Sequence, residues 1–137
     1  MTQINPYLIF DGNCLEAMTF YKECLGGELT VMKVAESPMA SKVPAHMQQS
    51  IMHSQLANGK LLIMGSDMHR EKLADGNTVQ MNINCSSEEE INSFFSKLSA
   101  GGKITEPLGE MFWGALFGAL TDRFGKHWLF NYEKNQK

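Results

Sequence analysis

Three polar side chains in this sequence have the right types to do chemistry. His53 lies within the strand-like stretch SIMHSQL, and Asp67 and His69 follow the apolar stretch LLIMG. An imidazole can serve as a base or a hydrogen-bond donor in a pocket, and a carboxylate near a histidine can do acid–base work. Each also has a structural interpretation: His53 packed or half exposed in its strand, and the other two as solvated loop charges. The residues alone leave both interpretations open.

The stretch LTDRFGKHWLFNYE, residues 120–133, gathers a charged turn, a histidine and aromatic side chains near the end of the chain. Within it, DRFGK is typical of a turn before a last strand, because Asp122 can accept backbone hydrogen bonds and Gly125 can adopt a positive φ. His127 then flanks that turn. The stretch therefore predicts a hairpin rather than a reactive cluster.

The cysteines, Cys14, Cys24 and Cys85, form no CxxC motif and no pattern with histidine. Neither Cys14 nor Cys24 has a base at a useful spacing, so neither is interpreted as a nucleophile. Sparse cysteines predict a reduced, cytoplasmic protein. The opening MTQINPYLIF lacks the charged and apolar regions of a signal peptide.

The composition indicates a globular protein of one domain, residues 1–137, with 43% apolar and 20% charged residues. The formal net charge is −3 and the lysines and arginines are scattered, so nucleic acid is not expected as a partner. The longest apolar stretch, residues 111–120, is shorter than the roughly 20 residues that span a bilayer, and it predicts a buried strand. The ten methionines could fill the core or line a pliable pocket.

Two amphipathic helices are predicted, each with apolar residues at i, i+3, i+4 and i+7. Asn13 is expected to cap the first, with Glu16 as its reciprocal partner, and Ser86 or Ser87 the second. Their apolar faces hold Ala17, Phe20, Tyr21 and Cys24, and Ile91, Phe94, Phe95 and Leu98.

The two halves of the chain repeat the order strand, helix and three strands. Phe20 and Phe94 are 74 residues apart, and the Gly-Gly pairs that end the helices are 75 apart. The fold is therefore predicted to be α+β, with two βαβββ modules at about residues 1–66 and 78–137 and a surface linker at 67–77. Each helix leaves one sheet face unburied, so two such sheets side by side would form a curved surface around a central cavity.

Local turn signals refine this scheme. Asn58-Gly59 lies between two apolar arms and predicts a β-hairpin in the first module. Pro107 is expected to break the second module's strand at residues 103–111, because proline cannot donate to a ladder.

Several stretches together resemble a known family over nearly the whole chain: NPYLIFDGNCLEAMTFYKECLGGEL, IMHSQLANGKLLIMGSD, MFWGALFGALTDRFGKHW and the final NYE. They are similar to the vicinal oxygen chelate superfamily, which includes glyoxalase I and the bleomycin resistance proteins. Within it they resemble the PhnB-like branch, whose members often carry the label 3-demethylubiquinone 3-methyltransferase. The resemblance implies paired βαβββ modules and, commonly, a homodimer.

The resemblance also implies four positions where metal-dependent members place histidine, glutamine or glutamate. They correspond here to Asn5 or Tyr7, to Met64, to Gln80 or Asn82, and to Leu129 or Phe130. Divalent metals prefer imidazole or charged oxygen ligands, which none of these residues supplies. No metal and no cofactor are therefore predicted.

The resulting prediction is a metal-independent protein that binds a small apolar or aromatic molecule. Its expected ligand-binding residues are Asn5, Tyr7, His53, Met64, Gln80 and Trp113. The resemblance adds weight to His53 and Trp113, because an M-H-x-x-L stretch and an FWG stretch are characteristic of the branch; Trp113 could equally pack in the core. The alternative is a lyase or isomerase acting on a small oxygenated metabolite, with His53 or Asp67 as the base.

Overall fold

The computed structural model of the chain, which describes residues 2–134, contains two compact units that divide between Ala74 and Asp75. Each unit has one α-helix of 12 residues and a four-stranded mixed sheet. These units are the predicted α+β modules, and the boundary between them falls inside the predicted linker.

Module one contains the first sheet and the helix α1. Its elements are β1 (Tyr7–Ile9), α1 (Cys14–Leu25), β2 (Glu28–Lys33), β3 (Ile51–Asn58) and β4 (Leu61–Ser66). The strand order is β1-β4-β3-β2, with β1 parallel to β4 and the other neighbours antiparallel. Three short 3₁₀ turns lie in the segment between β2 and β3.

Module two repeats the same topology. Its elements are β5 (Met81–Asn84), α2 (Glu88–Ser99), β6 (Lys103–Glu110), β7 (Ala115–Thr121) and β8 (His127–Glu133). The strand order is β5-β8-β7-β6, again with the first strand parallel to the last. The predicted repeat is therefore confirmed down to the pairing of its strands.

Each helix buries its apolar face against its own sheet. In α1, Tyr21 and Met18 are fully buried, and α1 contacts β2, β3 and β4. In α2, Ile91 and Leu98 are fully buried, while Phe95 meets Phe130 of β8 edge to face at 5.3 Å. The predicted aromatic pairs divide in the same way in both modules, because the second aromatic is buried and the first only half-buried.

The repeated Gly-Gly pairs mark a close approach between backbones. A Cβ at Gly27 would lie 2.4 Å from the carbonyl oxygen of Ala57, and a Cβ at Gly102 would lie 2.3 Å from that of Thr121. Real Cβ atoms do not approach oxygen so closely, so a side chain would push the strand away. The repeat in sequence thus reflects the same helix-to-strand junction formed twice.

The structure differs from the predicted caps and turn of module one. The Asn13 side chain makes no capping hydrogen bond, although Ser87 does cap α2 by accepting from the Glu90 amide at 3.0 Å. The hairpin forms, but its loop is Gly59–Lys60, because Asn58 still pairs with Leu61. The Asn58 amide instead donates to the carbonyl of the last α1 residue at 2.8 Å.

Two predictions about module two are met only in part. Pro107 does not end β6, which continues to Glu110, but the pairing with β7 is interrupted between Glu106 and Gly109, where Pro107 lies. The apolar stretch 111–120 is not a strand throughout, because Met111 and Gly114 close a turn before β7. Within residues 2–134, no helix is long and apolar enough to cross a membrane.

Candidate ligand-binding faces

We call the face of the module one sheet that points away from α1 the open face of module one, and it carries a row of side chains that crosses β1, β4 and β3. Tyr7 on β1 pairs with Met64 on β4, and Met64 pairs with Gln55 on β3. Paired residues project to the same side of a sheet, so a phenol, a thioether and an amide lie next to one another. Of the predicted residues, Tyr7 and Met64 are thus brought together.

His53 joins this face through a hydrogen bond to Tyr7. The Tyr7 hydroxyl and His53 Nδ1 are 3.0 Å apart, and Tyr7 is 46% exposed. His53 shares this face with Gln55, two residues along β3, as simple alternation predicts. Ile51 does not share it, because the bulge at Met52 shifts the register and Ile51 is buried in the core.

An open groove of about 650 Å³ runs beside this row. It is lined by residues before β1 and by the β3–β4 hairpin, among them Gln3, Asn5, Gln55, Ala57, Lys60 and Leu62. Gln55 belongs both to the groove and to the open face. The predicted residue Asn5 therefore lies in the same region of module one as Tyr7 and Met64.

Module two presents an equivalent surface, the open face of module two, made of two rows across β5, β8 and β7. The first row is Asn82, Leu129 and Ala119, and the second is Asn84, Asn131 and Phe117.

The structure decides between the alternatives predicted at the implied metal positions of module two, Gln80 or Asn82 and Leu129 or Phe130. Asn82 pairs with Leu129 as Tyr7 pairs with Met64, so Asn82 holds the equivalent position. Gln80 is exposed, precedes β5 and lies outside both rows. Phe130 faces the opposite way, because its side chain packs against Phe95 of α2.

Amide–amide hydrogen bonds link the asparagines of module two. The Asn84 carbonyl oxygen accepts from the Asn82 amide at 3.1 Å and from the Asn131 amide at 3.4 Å. We call these three side chains the amide corner. Sequence reasoning missed it, because Asn131 becomes a neighbour of Asn84 only through the parallel pairing of β5 and β8.

Trp113 lies in the turn before β7, where it is 52% exposed. Its ring meets Phe112 edge to face at 4.8 Å and Phe117 at 6.1 Å. Simple core packing, one of the two interpretations, is therefore wrong for Trp113. The exposed ring lies beside Phe117, at the end of the row that contains Asn131.

Asp67 is buried, contrary to the prediction of a solvated loop charge, and is only 5% exposed. One carboxylate oxygen accepts from the amides of Gly12 at 2.9 Å and Cys14 at 3.0 Å, and the other accepts from the Ile51 amide at 2.8 Å. The carboxylate thus replaces Asn13 as the cap of α1, where the helix dipole favours negative charge. Burial and three backbone hydrogen bonds give this carboxylate a structural role.

The turn between β7 and β8 contains a second buried carboxylate, that of Asp122. Asp122 accepts from the amides of Phe124 at 2.8 Å and Lys126 at 3.1 Å, which confirms its predicted turn role. It also accepts from the Trp128 indole at 2.8 Å. His127 bonds to the Thr121 hydroxyl and to a carbonyl of the preceding linker, so this region is structural.

The cysteines are buried in the described structure. Burial raises the pKa of the Cys14 thiol to about 11 and that of Cys85 to about 12. A thiol is nucleophilic only as the thiolate, so these pKa values agree with the prediction that Cys14 is not a nucleophile.

His69, the remaining candidate, bridges two exposed segments of module one. Its Nε2 lies 3.0 Å from an Asp11 carboxylate oxygen, and its Nδ1 lies 2.9 Å from the Glu71 carbonyl oxygen. The hydrogen bond to Asp11, followed by that to Glu71, raises the pKa of His69 above its ordinary value of 6.5. The geometry defines a surface clip between the loop after β1 and the linker.

This clip predicts a pH-dependent contact. The imidazolium is favoured in the folded state, so its contribution to stability is present below pH 6.5 and is lost as the pH rises through the higher folded pKa. An NMR titration of the His69 ring protons should give a midpoint above 6.5. Asp11→Asn should return the midpoint towards 6.5, and a midpoint that this substitution leaves unchanged would contradict the bond.

The four positions implied for a metal do not fit one. They hold the phenol of Tyr7, the thioether of Met64, the amide of Asn82 and the alkyl side chain of Leu129. A hard divalent cation prefers charged oxygen, and zinc prefers imidazole or thiolate. Across residues 2–134, no group of three or more His, Cys, Asp or Glu side chains is arranged to hold a metal ion.

Two βαβββ modules of the same topology, each with an open sheet face, define a two-module α+β class of protein. Residues 3–130 match the family model described as Glyoxalase/Bleomycin resistance protein/Dioxygenase superfamily, and the chain belongs to that superfamily. The curated Protein YjdN of Escherichia coli (strain K12) is 32% identical in an alignment of 142 positions. That alignment covers 97% of this chain and 97% of that protein.

Solved structures show the same fold. Protein PA1353 from Pseudomonas aeruginosa is 40% identical with a TM-score of 0.86, over 97% of this chain and 98% of that one. A structure from Bacillus cereus titled putative 3-demethylubiquinone-9 3-methyltransferase, PhnB protein, has a TM-score of 0.75 at 23% identity, over 96% and 99% of the two chains. PhnB is thus a structural neighbour, as the sequence resemblance predicts, and at this identity the likeness concerns the fold.

Proposed function

We propose that the protein binds a small, mainly apolar or aromatic molecule on the open faces of its modules, without a metal ion. One observation carries the proposal: the pairs Tyr7–Met64 and Asn82–Leu129 occupy equivalent register positions and offer only neutral groups. Neutral phenol, thioether, amide and alkyl groups favour an organic ligand, because pockets for such ligands combine apolar walls with a few placed polar groups.

Module one supports the same proposal. The hydrogen-bonded pair of Tyr7 and His53 supplies polar groups beside Met64, and the groove with Asn5 extends from Gln55. For the alternative, a lyase or isomerase, His53 is the better placed of the two candidate bases, since the Asp67 carboxylate is buried and caps α1. A cytoplasmic homodimer that binds neither nucleic acid nor membrane completes the proposal, and light scattering would test the dimer.

The experiment compares the protein purified without chelator with the same protein after treatment with EDTA. We expect far less than one metal ion per chain by elemental analysis. A mixture of aromatic fragments should bind equally to both samples, with NMR shifts on the open faces. Stoichiometric nickel, zinc, manganese or iron, together with loss of fragment binding after EDTA, would overturn the proposal.

Tyr7→Phe tests the site on module one, because it removes the hydroxyl bonded to His53 and keeps the ring. Fragments that shift the His53 ring signals should bind this variant more weakly. Tyr132→Phe is the matched control, since Tyr132 pairs with Leu116 on the other side of the module two sheet. An equal effect of both variants would exclude Tyr7 from the site.

A further inference from the structure

The amide corner of Asn82, Asn84 and Asn131 has hydrogen-bonding groups that its internal bonds do not use. The Asn84 carbonyl oxygen accepts both internal bonds, from Asn82 and Asn131. Among the described residues, the Asn84 amino group and the carbonyl oxygens of Asn82 and Asn131 have no hydrogen-bond partner. The corner therefore offers both donors and acceptors to a ligand.

The fold itself does not require an amide corner. The positions of module one that are equivalent to Asn82, Asn84 and Asn131 hold Tyr7, Ile9 and Ser66. The features that both modules need, such as the glycine at each helix-to-strand junction, are repeated in the two halves. A polar cluster found in one half alone points to recognition rather than to folding.

Aromatic rings flank the corner. Phe117 pairs with Asn131 across β7 and β8, and the half-exposed Trp113 ring lies 6.1 Å from Phe117. Planar ligands stack on such rings, and the polar edge of a stacked ligand remains free to form hydrogen bonds. Phe117 and Trp113 thus supply an apolar wall next to the amides.

The row of Asn84, Asn131 and Phe117 has no charged side chain, and on β6 it continues to Gly109. The other row, Asn82, Leu129 and Ala119, continues on β6 to Glu106, an exposed carboxylate. An anion placed on this face would lose hydration and lie near the Glu106 carboxylate, which disfavours anionic ligands. A neutral carboxamide can bond to both the donors and the acceptors of the corner, and it has less hydration free energy to lose.

We propose that the open face of module two recognises a neutral planar ligand that carries a carboxamide or ureide edge. The edge bonds to the amide corner and the ring lies against Trp113 and Phe117. This inference rests on the proposed function, which it deepens by naming the ligand class.

The test uses benzamide as the probe and two analogues that each lack one feature. Benzoate keeps the ring but is charged, and cyclohexanecarboxamide keeps the amide but is not planar. In ¹H–¹⁵N spectra of the full chain, benzamide should shift the side-chain amide signals of the corner and the Trp113 indole signal. Both analogues should bind about tenfold more weakly, as expected for losing one good hydrogen bond or the stacking.

Asn84→Asp removes the outward amino group while it retains an oxygen that can accept both internal bonds. It should weaken benzamide binding about tenfold or more. Asn92→Asp, the same substitution on the exposed side of α2, should leave binding unchanged. Equal binding of the three probes, shifts confined to other residues, or equal effects of the two variants would overturn the inference.

Failure of this inference differs from failure of the proposed function. If benzamide does not bind but other fragments still shift the open faces, the ligand class is wrong and the proposed function stands. If no fragment binds either open face, both are wrong.

Discussion

Replacing Asp67 with asparagine is expected to lower the free energy of unfolding by about 3 kcal/mol. The carboxylate accepts three backbone hydrogen bonds in the core, from Gly12, Cys14 and Ile51. Asparagine has nearly the same shape but offers one oxygen. Its amino group would face a backbone N–H, either that of Ile51 or those at the start of α1, and leave at least one buried donor without an acceptor.

Urea unfolding of both proteins, followed by circular dichroism, measures this difference. Asp11→Asn is the control, because Asp11 is 84% exposed at its side chain and its loss should change stability by less than about 0.5 kcal/mol. If Asp67→Asn were as mild as the control, the buried carboxylate would not be the anchor of α1.

The result also bears on mechanism. Asp67 was the second candidate base for the alternative enzyme, beside His53. A large loss of stability, with an unfolding transition that remains cooperative, would agree with a structural role for this carboxylate. Fragment binding by the folded Asp67→Asn protein would show that the open face of module one functions without the carboxylate.

Gly27→Ala is expected to cost about 3 kcal/mol or more. Gly27 has φ of +95°, which costs an alanine about 1–2 kcal/mol, and its added Cβ would lie 2.4 Å from the Ala57 carbonyl oxygen. Relieving that contact means moving β3 away from the α1–β2 junction, a further cost of about 1–3 kcal/mol by analogy with overpacked cores.

Gly59→Ala separates the two contributions. Gly59 also has a positive φ, +59°, but an added Cβ would meet nothing within 4 Å. Its replacement should cost only about 1 kcal/mol, the conformational part. Equal losses for the two alanine variants in urea unfolding would show that the close approach of Gly27 to β3 contributes nothing to stability.

The sequence determined the fold because its signals are local. Apolar spacing located both helices, and the repeated aromatic and Gly-Gly pairs showed that the chain contains the same module twice. The family resemblance implied the metal positions, and the residues at those positions include no histidine and no carboxylate. The turn residues predicted the hairpin around Asp122. The helices and turns depend on residue spacing within ten or so residues, and the repeat depends on a comparison of the two halves, so neither needs knowledge of the residues that lie opposite.

The tertiary structure decided what depends on register and on distant partners. A bulge at Met52 turns Ile51 into the core while His53 remains beside Tyr7, and parallel pairing makes Asn82, rather than Gln80, the partner of Leu129. The three donors to Asp67 lie 16, 53 and 55 residues earlier in the chain, so nothing near it in sequence distinguishes it from a solvated loop acid. A shift of one residue turns a strand's side chains to the other face, and the chain settles that register through all its pairings together.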